Sequence, residues 1–502
     1  MCEFQNSSGD TLERMHIVLT EGGMFSKPKE NDDPEPPPPI STRAFTPKKQ
    51  SKHTTARDNG GAKKGEFNDL SDEILENVMH HNAHGNLNLS MVSKRTRALT
   101  SKMPLAFHVG RKNMSHLDDE QRRTRMLRGL RANSLHFTLE SIDVSHFPLD
   151  WRGRHHPLMQ VDHNHSLEGI LMNNCTALKA LTLVDTGLVN WTLIGTALRS
   201  RPALERLHIS TGQNRHPRTA SRSFDSVFTA LTGNLMPNLT DIDFSDCGFY
   251  AVESLLAAQM NRYSALTKLN LSGNLLEYHF DVIRALPQCH RLQHLDLSNN
   301  NLGGGAMDAL VLALPSCTCL AHLDLSDNNF YTNSFRALAP ILPRCTTLRS
   351  LSLRNNVRGA AYAFGSIVTS GGLSHLTYLD VGNCGIDCYE TFSDIHDGPW
   401  VNQLGLCTNL TQLSLAQNKL GDDLTHLLLS RVMRTCTALT HLDLAGTKIT
   451  DDGVRDVAPL LSGCPTLMHL RLNDNRLEPS TKATIHTSWN AEHARQRDGL
   501  WM

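Results

Sequence analysis

The sequence carries almost no net charge: 49 Lys and Arg stand against 50 Asp and Glu, leaving −1 at pH 7 over 502 residues. Without a surplus of either sign, no whole-molecule attraction to nucleic acid or to an anionic membrane surface is expected. No apolar run approaches the roughly 18 residues needed to cross a bilayer, and Met1 to Thr20 lack the continuous apolar stretch of a secretory leader. These absences predict a chain of the cytosol or nucleus. Catalytic signatures are missing as well: there is no Walker-type Gly-rich loop, no nucleophile elbow and no His-Glu-x-x-His helix. No residue is therefore assigned to catalysis, no cofactor is implied, and the chain reads as a binding protein rather than an enzyme.

What is present is a repeat. Leu292 to Leu302 reads Leu-Gln-His-Leu-Asp-Leu-Ser-Asn-Asn-Asn-Leu, and the spacing returns about 28 residues later at Leu320, Leu323, Leu325, Asn328 and Phe330. Further copies start at Leu178, Leu204, Leu239, Leu266, Leu348, Leu376, Leu410, Leu439 and Leu467, with a weak one at Leu139. That makes about twelve units between residues 139 and 478. Within a unit, Leu295-Asp296-Leu297 alternates as a short strand with one buried face, and Asn300 turns the chain, its amide able to bond backbone groups left unpaired there. The remainder is helical by spacing: Met307, Leu310, Val311 and Leu314, then Phe335, Leu338 and Leu342, then Val454, Val457 and Leu461. Pro287, Pro315 and Pro343 are expected to stop these helices.

This pattern resembles the leucine-rich repeat, and in its length the ribonuclease-inhibitor class of such repeats. The resemblance implies an α/β solenoid: a horseshoe with parallel strands on the concave face, helices outside, and a core made continuous by stacking. About twelve strands at roughly 4.8 Å give a wall on the order of 50 Å long. Cys175, Cys289, Cys317, Cys345, Cys407, Cys436 and Cys464 each stand three residues before a repeat's first leucine, and Cys247 and Cys384 replace the turn Asn. Such placement predicts reduced core thiols rather than a disulfide framework. No spacing among them suits a metal, and none is predicted.

Residues 1–65 are poor in aromatics and rich in Pro, Ser, Thr and Lys, which predicts disorder. Pro36 to Pro39 favour an extended spacer or a polyproline ligand. Residues 67–110 carry two short helical patterns: Asp69 or Ser71 capping a face of Ile74, Leu75, Val78 and Met79, and then Leu89 and Val92 with Lys94, Arg95 and Arg97 outward. Leu105, Phe107 and Val109 read as a strand opening the array. The helical segment resembles an F-box through Leu70, Asp72, Glu73, Ile74 and Leu75 and through Leu89, Val92, Ser93, Lys94 and Arg95. Ser71 stands where that family has Pro, and Thr96 where it has an aromatic. An F-box before a leucine-rich array is the order of F-box/leucine-rich-repeat proteins. That resemblance implies docking on a Skp-type adaptor of a cullin-RING ligase through Leu70, Ile74, Leu75, Val78, Leu89 and Val92. The same helices also read as a plain cap on the solenoid. Residues 111–138 form a linker helix or cap, whose arginines are expected to face solvent.

Strand residues between the buried leucines should form columns on the concave wall. One runs Asp243, Asn270, Asp296, Asp324, Ser352, Asp380, Ser414, Asp443 and Arg471; its neighbour contains His294, His322, His441 and His469. Adjacent Asp296 and Asp324 would repel one another, and a Lys- or Arg-bearing partner would relieve that repulsion. Insertions near residues 211–223 and 387–401 map to loops, where Trp400 is a candidate contact. In 479–502, a helix carrying Ile485 and Trp489 is expected to close the core. The expected function is a substrate receptor of an SCF-type ubiquitin ligase, with an unnamed protein substrate on the wall at Asp296, Asp324, His294, His322, Asp380, Asp443 and Trp400. A scaffold without ubiquitin chemistry is the alternative. The array also resembles activators of the Ran GTPase, with Arg354, Asn355 and Arg358 as polar candidates.

Overall fold

The computed structural model describes residues 175, 177–184, 191–199, 201–210, 236–248, 256–278, 280–356, 361–387, 399–461, 464–492 and 499–502, with the strand backbone at 2–5, 15–19, 86–87, 104–109 and 138–145. The strands are β1 Cys2–Gln5, β2 Met15–Leu19, β3 Asn86–Leu87, β4 Pro104–Val109, β5 Thr138–Ser145, β6 Ala180–Val184 and β7 Arg206–Ser210. They continue as β8 Asp241–Asp243, β9 Lys268–Asn270, β10 His294–Asp296, β11 His322–Asp324, β12 Ser350–Ser352, β13 Tyr378–Asp380, β14 Gln412–Ser414, β15 His441–Asp443, β16 His469–Arg471 and β17 Leu500–Trp501. Their order in the sheet is β3, β1, β2 and β4, followed by β5 to β17 in sequence. β1 lies antiparallel to β2 and β3, and every later pairing is parallel. Parallel neighbours need a crossover, which helices such as Gly304–Ala313 and Gly421–Thr435 supply on the sheet's outer face.

The predicted leucine-rich solenoid is the fold. In β10 the central Leu295 is buried while His294 and Asp296 face outward, and β9 and β11 repeat that pattern. Leu297, Leu302, Met307 and Leu310 join Leu295 in one continuous core that runs from Ile142 to Trp489. Pro315 does more than end a helix. The α-helix closes at Ala313, and Leu314–Ser316 continues as a 3-10 turn with the proline in its second place. Proline fits there because the first donors of a helical turn have no partner to lose. Leu286–Gln288 and Leu342–Arg344 repeat the device.

A residue in the left-handed region recurs just before each turn Asn or its substitute: Asp246, Gly273, Asn299, Asp327, Asn355, Asn383, Gln417, Gly446 and Asp474. Asn, Asp and Gly tolerate this conformation best. The Asn that follows ties its unit to the neighbour. Asn328 Nδ2 donates to the carbonyls of Leu297 (3.0 Å) and Leu325 (3.0 Å), while its Oδ1 accepts from the amides of Asn300 (3.1 Å) and Leu302 (3.0 Å). Asn300, Asn356, Asn418 and Asn475 make equivalent bonds to the preceding unit's carbonyls. Cys384, in the same place, donates its thiol to the Leu353 carbonyl at 3.0 Å.

The cysteines described are free, and Cys289, Cys317, Cys407, Cys436 and Cys464 are buried as core residues, with Cys345 half-buried. Burial pushes the thiols of Cys289, Cys317 and Cys407 up to about 12. At the far end, the helix Pro479–Glu492 lays Ile485 and Trp489 on the core, both essentially without exposure, and β17 then adds an unexpected last strand.

The structure overturns one expectation, bears on others and leaves some outside the described residues. Strands β1 and β2 fall within 1–65, the span whose composition predicts disorder; averaging over that span hides the alternation of Met15, Ile17 and Leu19. Asn86 and Leu87 are extended, as the two-residue period of Asn-Leu-Asn-Leu favours. Leu70, Ile74, Leu75, Val78, Leu89 and Val92 lie outside the described residues, as do the insertion at 211–223 and residues 388–398. Trp400 is no surface contact: it is 3% exposed in the helix Pro399–Leu404 and packs edge-on against Phe364, 5.1 Å between ring centres. An aromatic of that size at the start of a crossover helix gains more from the core than from water. No helix among the described residues is long and apolar enough to cross a membrane.

Candidate functional site

The two side-chain columns form as the spacing predicts, held in register by the parallel ladder. Asp241, Lys268, His294, His322, Ser350, Tyr378, Gln412, His441 and His469 follow one another strand by strand. Beside them run Asp243, Asn270, Asp296, Asp324, Ser352, Asp380, Ser414, Asp443 and Arg471. Six of the seven expected wall residues are therefore on this face, all but Trp400.

The aspartates have a structural task that spacing does not reveal. Asp296 Oδ1 accepts the Ser298 amide at 2.9 Å and its hydroxyl at 2.7 Å, and Asp324 does the same with Ser326 at 2.9 and 2.6 Å. Asp243, Asp380 and Asp443 each accept the amide two residues on, as does Asn270. One oxygen of each carboxylate thus closes the turn after its strand, leaving the other for the wall.

What those second oxygens meet divides the wall. In the later half, Arg354 approaches Asp380 Oδ2 at 3.9 Å and Arg471 approaches Asp443 Oδ2 at 3.4 Å. Gly382 makes room for the first, since a Cβ there would lie 2.6 Å from Arg354 Nη1. Earlier, Asp243 Oδ2 accepts the Asn270 side-chain amide at 3.0 Å while His208 lies 3.6 Å from its turn-closing Oδ1, and Lys268 reaches Asp241 at 3.8 Å. Asp296 and Asp324 have no Lys or Arg within ion-pair distance among the described residues. Burial raises the Asp296 carboxyl above its ordinary value against the pull of the Ser298 bonds, and Asp324 beside it adds to the rise. Burial raises Asp380 likewise.

The histidines stack in pairs. His294 and His322 lie 4.2 Å apart and 7° from parallel, and His441 and His469 lie 4.3 Å apart at 26°. Burial depresses His294, with His322 and Lys268 pushing the same way, and depresses His441, with His469 and Arg471. Burial, then the charges of Asp380 and Asp324, holds the Tyr378 phenol up to about 12. A groove of about 320 Å³ opens over β9 to β13 between these groups, and a second of about 400 Å³ runs from Tyr378 to Trp501. Trp501, half exposed, holds the Arg471 guanidinium 5.5 Å above its ring. The repeat spacing does not reach Trp501, because β17 lies beyond the last unit. Among the described residues no group of three or more His, Cys, Asp or Glu side chains converges as a metal would require.

The polar residues offered for a GTPase-facing role are used within the array. Arg354 serves Asp380, and Asn355 donates to Asp327 at 2.6 Å while accepting from Asn383 at 3.0 Å. Arg358 lies outside the described residues.

The repeats have a counterpart among known families. A family model described as Leucine Rich repeat matches residues 288–311, 372–387, 406–423 and 435–458. No curated protein matches the chain. Among solved structures, an internalin from Listeria monocytogenes is similar at 17% identity, covering 63% of this chain and 80% of that one, with a TM-score of 0.38. The matched segments fall within the repeat array, so the chain contains leucine-rich repeats.

Proposed function

We propose that the protein is a non-catalytic substrate receptor: the wall of β8 to β16 holds a segment of a partner protein, and residues 67–110 couple the chain to a Skp-type adaptor of a cullin-RING ubiquitin ligase. The observation that carries the first half is the continuous outward face of nine in-register strands, polar, with the central carboxylates Asp296 and Asp324 having no Lys or Arg at ion-pair distance among the described residues. The second half is supported by Leu70, Asp72, Glu73, Ile74 and Leu75 and by Leu89, Val92, Lys94 and Arg95, whose spacing resembles an F-box placed ahead of a leucine-rich array. Ubiquitin transfer would be performed by the other subunits.

The experiment is a pull-down of the full chain with a purified Skp-type adaptor, beside Leu75→Ala and Val92→Ala. Specific capture that both substitutions abolish supports the reading. An intact chain that captures no adaptor removes the ubiquitin role and leaves a protein-binding scaffold, the reading that Ser71 and Thr96 favour.

A further inference from the structure

The concave wall has one notch. β12 presents Ser350 and Ser352 in the two columns, the one strand from β8 to β16 with a small residue in both. In register on one side stand His322 and Asp324, and on the other Tyr378 and Asp380. The flanking strands are two steps apart, so the His322 and Tyr378 backbones are roughly 10 Å from each other. A flat group stacks on a ring at about 3.5 Å, so this spacing admits one over the serines, where His322, Asp324, Ser350, Ser352 and Tyr378 line a common groove. One face of His322 is already covered by His294, which leaves its other face turned to the notch. The second oxygen of Asp324 borders the same space and has no cation at ion-pair distance among the described residues, whereas Asp380 across from it is served by Arg354.

We propose that this notch is the seat of an arginine side chain from an extended segment of a partner protein. The inference rests on the receptor reading of the wall and names the chemistry of what it takes. A guanidinium is planar, so it fits a slot between His322 and Tyr378 where an ammonium would leave the rings uncovered. It stacks on aromatic faces and reaches a carboxylate with more than one N–H. Its charge also answers the in-register pair Asp296 and Asp324, which have no Lys or Arg at ion-pair distance among the described residues. The small β12 residues set the depth, and the two carboxylates set the sign.

The test selects 12-residue peptides from a random display library on the immobilised full chain and measures individual peptides by fluorescence anisotropy. Arginine should be fixed at one position of the selected peptides, and lysine there should weaken binding at least about tenfold. Asp324→Asn should weaken the arginine peptides by a similar factor. That variant keeps its turn, because Asn270 accepts the Ser272 amide in the same way at 2.9 Å. Ser350→Leu fills the slot and should abolish the preference; thermal unfolding checks that it folds, and Asp324→Asn decides if it does not. Peptides that bind with no fixed arginine, or that take lysine equally well, overturn the seat while leaving the receptor reading in place. A library that yields no binder overturns both.

Discussion

Replacing Asn328 by Ala removes the tie between two repeat units, and the effect can be worked out from its bonds. The Leu297 carbonyl keeps the Asn300 amide at 3.1 Å and the Leu325 carbonyl keeps the Asn356 amide at 2.9 Å, so neither acceptor is orphaned. The Asn300 and Leu302 backbone amides have only the Asn328 oxygen, at 3.1 and 3.0 Å, and both lose it inside the core. Two buried amides without acceptors, at 1–3 kcal/mol each and eased by local relaxation, give a loss of about 2–4 kcal/mol. Asn328→Cys should lose roughly half as much, because Cys384 fills the equivalent place naturally. Asn329→Ala, one residue on and exposed, should stay within about 0.5 kcal/mol of the parent. Urea unfolding followed by circular dichroism ranks the three. An Asn328→Ala protein as stable as Asn329→Ala would refute the ladder as the link between units.

Trp489→Ala should cost about 3–5 kcal/mol, since the side chain is fully buried at the end of the core; thermal unfolding reads it, and a change below about 1 kcal/mol would mean that the last helix does not cap the array. Trp400→Ala should lower the unfolding midpoint and leave peptide affinity for the wall unchanged, the reverse of what a surface contact would do. Iodoacetamide with peptide mapping should label exposed Cys319 in the native chain well before Cys289, Cys317 or Cys407, whose raised thiols stay protonated and covered; equal rates would deny their burial. Acidification should weaken the fold from about pH 6.5 downward: in the unfolded chain His294 and His441 take up protons at the ordinary value, whereas in the native wall they resist, so the unfolded state binds more protons. His294→Asn with His441→Asn should reduce that slope in urea midpoints measured from pH 7.5 to 5.5, His375, which burial also depresses, keeping the remainder.

The repeat was legible because stacking imposes one spacing on every unit: Leu295, Leu297 and Leu302 fall where the core requires them, and the wall columns follow from strand alternation. The tie made by Asn328 was legible in kind, since a buried amide at a turn has little else to bond. The partners of the wall aspartates were not. Arg354 and Arg471 approach Asp380 and Asp443 through contacts 26 and 28 residues apart, which no local pattern announces. Trp400 misled because an aromatic beside an insertion has the composition of a contact, and only the helix Pro399–Leu404 shows that it turns inward. The notch at β12 stood in the sequence as Ser350-Leu351-Ser352. Its meaning needed the neighbouring strands, because a small residue makes a seat only between larger ones.

The most direct measurement is hydrogen–deuterium exchange of the full chain with and without a saturating Skp-type adaptor. Slowed exchange confined to peptides from 67–110, with β10 to β12 unchanged, is the predicted result, because the adaptor and the partner segment use separate surfaces. No slowing anywhere, or slowing on the β10 to β12 wall instead, would contradict the account.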